Sequence, residues 1–213
     1  MNRHSGFRVA ALAGLVALLL AIGAALRPLL PVDAVAAAPV LTDTEIGFVQ
    51  DMVAHHSQAI VLVQRLDRGA DPSVVALAGQ IADTQRTELG MLLGWLRLAG
   101  APVTGTEPMA WMRPRGSHRH AGVDLAHHLS TMPGMATAAE LDELASARGG
   151  RAEVLFLRLM QRHHYGGIEM AAAADALLDG GEVERAARDM ITGQGREAGL
   201  LGLLLETPIP HPR

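Results

Sequence analysis

The sequence predicts an all-α protein whose ordered part is a four-helix bundle made of two tandem helical hairpins. Three observations predict it. No stretch alternates apolar and polar residues with period two, so strands are not indicated. Long stretches of helical apolar periodicity begin at capping signals and stop at Gly or Gly-Gly. Finally, the chain repeats itself: FVQDMVAHH (48–56) matches FLRLMQRHH (156–164) at an offset of 108.

At the N-terminus Arg3 and Arg8 precede an uncharged apolar run, Val9 to Leu26, followed by Pro28, Pro31 and DAVAAAPV. A basic start, an apolar middle and small residues at the end describe a secretory signal, with cleavage after Ala36 or Ala38. The run is also just long enough to span a bilayer, so an uncleaved anchor, touching the membrane through residues 9–30, is the alternative. Both readings place residues 39–213 outside the cytoplasm (secreted, periplasmic or on the cell envelope) as a single helical domain.

Within that domain the first repeat covers about 42–100, a connector 101–150 and the second repeat about 151–206. Thr42 to Glu45 (TDTE) is a capping box, in which hydroxyl and carboxylate satisfy each other's free backbone donors. The helix it opens runs to Arg68 and stops at Gly69. Asp71-Pro72 restarts a helix, with Asp as N-cap and Pro where its missing N–H costs nothing. That helix ends at Gly100. Residues 101–136 hold four Pro and four Gly and read as irregular. Thr137 to Glu140 (TAAE) is a second capping box, opening a short helix that halts at Gly149-Gly150. A long helix from about Arg151 to Asp179 follows. Gly180-Gly181 breaks it, and a last helix runs from Glu182 to Glu206. The repeat continues onto the second helix of each hairpin, where Gln85 and Glu88 fall on Gln194 and Glu197. Neither hairpin can bury its apolar face alone, so the two pack together.

Composition narrows the function classes. The chain has 213 residues, all 18 basic residues are Arg, and the net charge is −4. Removing residues 1–38 takes away three Arg and one Asp and moves the charge to −6. No basic stripe exists, which excludes nucleic acid as a partner. Without Lys there is no Schiff-base chemistry. Zero Cys excludes disulfides, thiolate metal sites and a cysteine nucleophile. Di-iron bundles need Glu-x-x-His, and no Glu here has His three residues later. HExxH, a Gly-rich phosphate loop and a nucleophile elbow are also missing. Against this stand ten His and ten Met, and they cluster.

On a helix, residues three and four apart share a side. Met52 therefore lies one turn before His55 and His56, and Met160 one turn before His163 and His164. Adjacent histidines diverge by about 100°, so each pair flanks an apolar face rather than pointing one way. Four residues after the first His stand Ala59 and Gly167, small in both copies, which predicts an uncovered imidazole. Imidazole suits Cu, Zn, Ni and Fe, and thioether adds a preference for Cu(I). Gln85, Glu88, Gln194 and Glu197 are placed to hold the imidazole N–H groups from outside a metal's own ligands. Glu45 and Glu153 read as first-turn charges complementing the helix dipole. A second cluster, Met109, Met112, His118, His120, His127, His128, Met132 and Met135, falls within 27 residues of the connector. It reads either as a further metal site or as a polar loop whose Met side chains tuck against the bundle. Core filling is the ordinary role of a Met on a helical stripe. A His pair repeated at one spacing is less ordinary.

These residues resemble the bacterial family that carries domain of unknown function 305. Its pattern is an acidic residue, F-x-x-x-M-x-x-HH, a small residue with Ile, then Q-x-x-E on the following helix. Here it occurs twice, and MPGMATAAELDELASARGG (132–150) resembles the family's lead-in to the second copy. The resemblance covers about residues 43–205 and implies an exported, ferritin-like helical bundle; some relatives are associated with copper binding and tolerance. Two departures stand out. The acidic residue is Glu45 and Glu153 where Asp is common, and a Met kept as Met170 becomes Leu62 in the first copy.

The expectation is an exported protein that binds a transition metal through His55, His56, His163 and His164 with Met52, Met160 and Met170. Copper, as Cu(I) or Cu(II), is the expected ion and zinc the second choice. Without an evident acid, base or nucleophile, sequestration or delivery is the expected role rather than catalysis. The alternative from another class is a metal-free extracytoplasmic interaction module with structural His pairs, its protein partner unspecified. A metal-dependent oxidoreductase is a third reading.

Overall fold

The structure, a computed structural model, describes residues 3–26, 39–112 and 132–206. It divides into two units, residues 1–38 and 39–213. The first holds α1 (Arg3–Leu26), whose side chains from Leu12 to Ala25 are exposed. Among the described residues, no helix is long and apolar enough to cross a membrane.

The second unit contains α2 (Asp43–Arg65), α3 (Pro72–Leu98), a 3-10 turn (Ala110–Met112), α4 (Ala138–Ser146), α5 (Gly149–Leu177) and α6 (Glu182–Glu206). No strand occurs among the described residues. Helix α2 packs along α3 and α5 along α6, and the two hairpins meet where α2 lies on α5. The short α4 touches both motif helices.

Both expected capping boxes form: Thr42 with Glu45 opens α2, and Thr137 with Glu140 opens α4. Asp71 caps α3 through the Ser73 N–H, with Pro72 at the first helical position. Two boundaries differ from the sequence expectation for one shared reason. Helix α2 ends at Arg65 rather than Arg68, because the chain turns extended at Leu66 and delivers Asp67 to the start of α5. There its carboxylate accepts from the Gly149 N–H at 2.9 Å, so α5 begins two residues before Arg151.

The motif helices run antiparallel, and two acids mark it. Glu153, in the second turn of α5 and almost fully buried, accepts from the backbone N–H of Asp71, just beyond the end of α2, at 2.8 Å. Glu45, at the start of α2, stands with a carboxylate oxygen 3.7 Å from where a Cβ on Gly181 would lie, just beyond the end of α5. Each hairpin thus reaches from its first helix to the other's turn. Glu45 does lie in the first turn of α2, but Glu153 serves a backbone donor of the opposite hairpin rather than its own helix dipole.

The core falls into two apolar clusters. One gathers Phe48, Val49, Met52, Leu92, Leu96, Met170 and Met190 around Met109 and Trp111. The other gathers Leu62, Val74, Leu77, Ile81, Leu144, Phe156, Leu157, Met160 and Leu201. All four motif histidines are buried as well.

Candidate metal centre

Helix geometry sets the histidines. One turn after Met52 and Met160, the two HH pairs reach the crossing of α2 and α5. The His55 and His163 rings stack across it with centroids 3.8 Å apart and planes tilted by 32°. The His164 ring centroid lies 6.3 Å from that of His163. All four side chains are at most 1% exposed. The expectation of uncovered imidazoles is therefore corrected. The space left by Gly167 is taken by the side chain of Gln194, whose Oε1 sits 2.2 Å from where a Gly167 Cβ would be.

Hydrogen bonds sort the four rings. His55 Nε2 donates to the Pro133 carbonyl at 3.1 Å, and His163 Nε2 donates to the His55 carbonyl at 3.1 Å. His56 Nε2 donates to the Glu88 carboxylate at 2.5 Å. Because each acceptor fixes the hydrogen on Nε2, the neutral ring keeps a bare lone pair on Nδ1. All three Nδ1 atoms are buried without a partner. His164 differs: Nδ1 donates to the Met160 carbonyl at 3.0 Å while Nε2 meets Glu197 at 2.7 Å, so both its nitrogens are engaged. Burial, reinforced by the neighbouring ring of His56, pushes His55 down to about 3. His163 is held well below its ordinary 6.5 by burial and by the adjoining His55. Both rings are neutral at pH 7.

The partners anticipated on the second helices split in the same way. Glu88 and Glu197 hold imidazole N–H groups. The two glutamines do not: Gln85 Oε1 and both amide atoms of Gln194 are buried and unpartnered. Each such orphan costs about 1–3 kcal/mol. The orphan set is five acceptors (three Nδ1, two Oε1) against one donor, Gln194 Nε2.

The thioethers are distributed unevenly. Met52 and Met170 are fully buried in one apolar cluster, joined by Met109 and Met190, with Met112 and Met132 packed against it. Met160 lies in the other cluster beside Leu62. Soft donors therefore concentrate in one cluster, because the antiparallel arrangement pairs Met52 of the first copy with Met170 of the second. Met135 is partly buried and offers its carbonyl to Arg162 at 3.3 Å. His118, His120, His127 and His128 lie outside the described residues.

Sequence reasoning missed the backbone that closes over the site. Pro133 accepts from His55, and Gly134 (φ +75°) lies against Gly166 so tightly that a Gly166 Cβ would stand 2.0 Å from the Pro133 oxygen. Gln58 then pairs twice with Ala136, through its carbonyl at 2.8 Å and its N–H at 2.6 Å. The signal was present as Gly166-Gly167 in a helix interior, where Gly is costly unless something must come close. Asp51 was missed too: a single carboxylate oxygen accepts from Met109 N–H at 2.7 Å and Trp111 Nε1–H at 2.9 Å.

Among the described residues, no group of three or more His, Asp or Glu is gathered closely enough to hold a metal as it stands. An open cleft of about 420 Å³, lined by residues including Asp43, Gln50, Asp51, Glu107 and Trp111, contains none of the motif histidines.

The sequence profile of the family described as Domain of unknown function (DUF305) matches residues 45–205. The chain belongs to the DUF305 family. Among solved DUF305 structures, one described as a candidate secreted protein from Streptomyces coelicolor is 36% identical, with a TM-score of 0.65 over 76% of this chain and 90% of that one. A DUF305 fragment from Deinococcus radiodurans is 31% identical, with a TM-score of 0.62 over 77% and 96%. A third structure, CopM in the Cu(II)-bound form, is 22% identical with a TM-score of 0.56 over 76% and 95%, a likeness of fold. No curated protein matches this DUF305 chain.

Proposed function

We propose that this DUF305 protein is an exported four-helix bundle, ferritin-like and built from two copies of one hairpin, that binds a transition-metal cation, copper foremost, for sequestration or delivery. The observation that carries this reading is the trio of buried imidazoles, His55, His56 and His163, each with Nε2 hydrogen-bonded and Nδ1 without a partner. A lone pair on a ring whose other nitrogen is already held by a carbonyl or carboxylate is the ordinary form of a metal-ligating histidine. An excess of acceptors over donors calls for a cation or a hydrogen-bond donor and repels an anion. The depressed basicity of His55 and His163 keeps them from meeting that need with a proton of their own.

Imidazole with nearby thioether suits copper in either oxidation state, with zinc second. Coordination requires the rings to turn so that the Nδ1 atoms converge, which would break the His55–His163 stack. Export rests on the N-terminal signal pattern and agrees with the description of the Streptomyces coelicolor relative; the Cu(II)-bound form of CopM agrees with the choice of metal.

The test is a competition titration of the metal-free chain with Cu(I), Cu(II) and Zn(II), beside a His55→Ala, His56→Ala, His163→Ala triple variant and a His164→Ala single variant. The expected result is tight copper binding that the triple variant loses and the single variant largely keeps. Binding that survives the triple substitution would move the site to the Met/His connector. If no variant binds beyond weak surface chelation, the metal reading is wrong and the interaction module with structural His pairs replaces it.

A further inference from the structure

The open cleft beside the start of α2 takes no part in the histidine crossing, and its volume of about 420 Å³ is that of a small-molecule site. Its walls carry the carboxylates of Asp43, Asp51 and Glu107, and no Arg or His is among its described lining residues. Helix α2 begins here, and the positive end of a helix is worth about half a charge. Three carboxylates outweigh that, so the cleft favours a cation. Asp51 sharpens the point to one atom. It is 6% exposed, and its two N–H partners, Met109 and Trp111, both use Oδ2. Oδ1 has no partner among the described residues, and the side chain lines the cleft. A buried carboxylate oxygen left unmet calls for a donor. A charged donor gains most there, because burial raises the Asp51 pKa above the ordinary 3.8 and a cation opposes that rise.

The spacing of the acids decides what kind of cation. Among the described residues no three acids or histidines gather closely enough to hold a metal ion, so the three carboxylates cannot close on one point charge. A cation whose N–H groups are spread along a chain can reach them separately. The cleft also has an apolar wall, the indole of Trp111, on which methylene groups can rest and whose ring face attracts an ammonium. Asp51 lies deep, whereas Asp43 and Glu107 are exposed at the rim. We propose that this cleft binds a short aliphatic diamine, one ammonium on Asp51 Oδ1, the methylenes along Trp111, and the second ammonium toward Asp43 and Glu107. This site is independent of the metal reading.

The experiment uses the full chain carrying Trp95→Phe, which leaves Trp111 as its single indole. It is titrated with 1,4-diaminobutane, 1-butylamine and 1,4-butanediol, reading Trp111 fluorescence and the indole N–H resonance, whose proton lies on Asp51. The diamine is expected to give a saturable shift in both signals, the monoamine to bind about tenfold more weakly, and the diol to give no shift. Asp51→Asn and Asp43→Asn should each weaken the diamine about tenfold. Asp43 is exposed, so its variant keeps the test decisive even if Asp51→Asn disturbs the connector. Asp83→Asn removes the same charge from an exposed place on α3 outside the cleft and should change affinity by less than about twofold. Three results overturn the proposal. The diol may bind as well as the diamine, which makes the cleft an apolar groove; Asp83→Asn may weaken binding as much as Asp43→Asn, which makes the effect one of net charge; or the diamine may give no saturable shift up to millimolar concentration.

Discussion

The carboxyl group of Asp51 shows what one buried acid does for the fold. It ties the connector to α2 by two N–H bonds, and it places Trp111 edge-on to Phe48, ring centroids 5.4 Å apart, over a Gly47 that has no room for a Cβ. Burial raises its pKa above the ordinary 3.8, and the two N–H bonds offset only part of that rise. The folded state therefore keeps the proton to higher pH than the unfolded chain. As pH rises from 3.8 through the folded value, the native protein loses stability that Asp51→Asn, which retains an acceptor oxygen, does not lose. The difference between the two unfolding free energies should shift by up to about 1.4 kcal/mol per pH unit in that window and then level off. Urea titrations across the window check it; a pH-independent difference would show that burial does not govern this carboxyl. In the sequence Asp51 is one letter of FVQDMVAHH, with nothing to mark a role. Its partners, 58 and 60 positions along the chain, were beyond the reach of helical periodicity, which reports the face of a residue and not what lies opposite.

The contact of α5 with the Pro133-Gly134 backbone makes a sharper claim. A Cβ at Gly166 would meet the Pro133 oxygen, the Pro133 carbon and the Gly134 nitrogen at 2.0, 2.3 and 2.7 Å, all of them backbone atoms with no side chain to swing away. Gly166→Ala should therefore push the segment off α5 and break the His55–Pro133 bond, costing about 1–3 kcal/mol despite the better helix propensity of Ala. Gly193→Ala is the control: nothing lies within 4 Å of its Cβ position, so propensity acts alone and the change should stabilise by a few tenths to about 1 kcal/mol. Chemical denaturation distinguishes them, and equal effects at the two sites would refute the close approach. The helices themselves were legible because caps and Gly breaks are local chemistry. The ends that moved, at Arg65 and Gly149, are the two joined by Asp67, a contact that exists only once the hairpins have met.

Across the whole molecule, two neutral histidines stacked at the crossing of α2 and α5 make folding sensitive to acid. Their folded pKa values are depressed, so the stability they permit is fully present above the unfolded value of 6.5 and is lost as pH falls, toward about 3 for His55 and well below 6.5 for His163. Between about pH 6.5 and pH 4.5, before most carboxylates titrate, the unfolding free energy of the metal-free protein should fall by as much as about 1.4 kcal/mol per pH unit for each ring. A bound cation occupying the Nδ1 atoms would oppose that loss by mass action. Stability that stays flat over this range would mean the rings are not sealed from water. The repeated motif made the meeting of the two HH pairs predictable. It could not say that His164 would spend both nitrogens on Met160 and Glu197, because the copies match in sequence and differ in what surrounds them.

The crossed reach of Glu153 to the turn after α2, and of Glu45 toward the turn after α5, carries a consequence for how chains meet one another. The surface a hairpin offers its neighbour is the surface it seeks in return, so a hairpin released from its own chain finds an acceptable mate in the matching hairpin of another. Exchange between two molecules then needs no hairpin contact that one molecule does not already make, and the bonds that hold the connector to α2 and α5 are what stand against a swapped dimer.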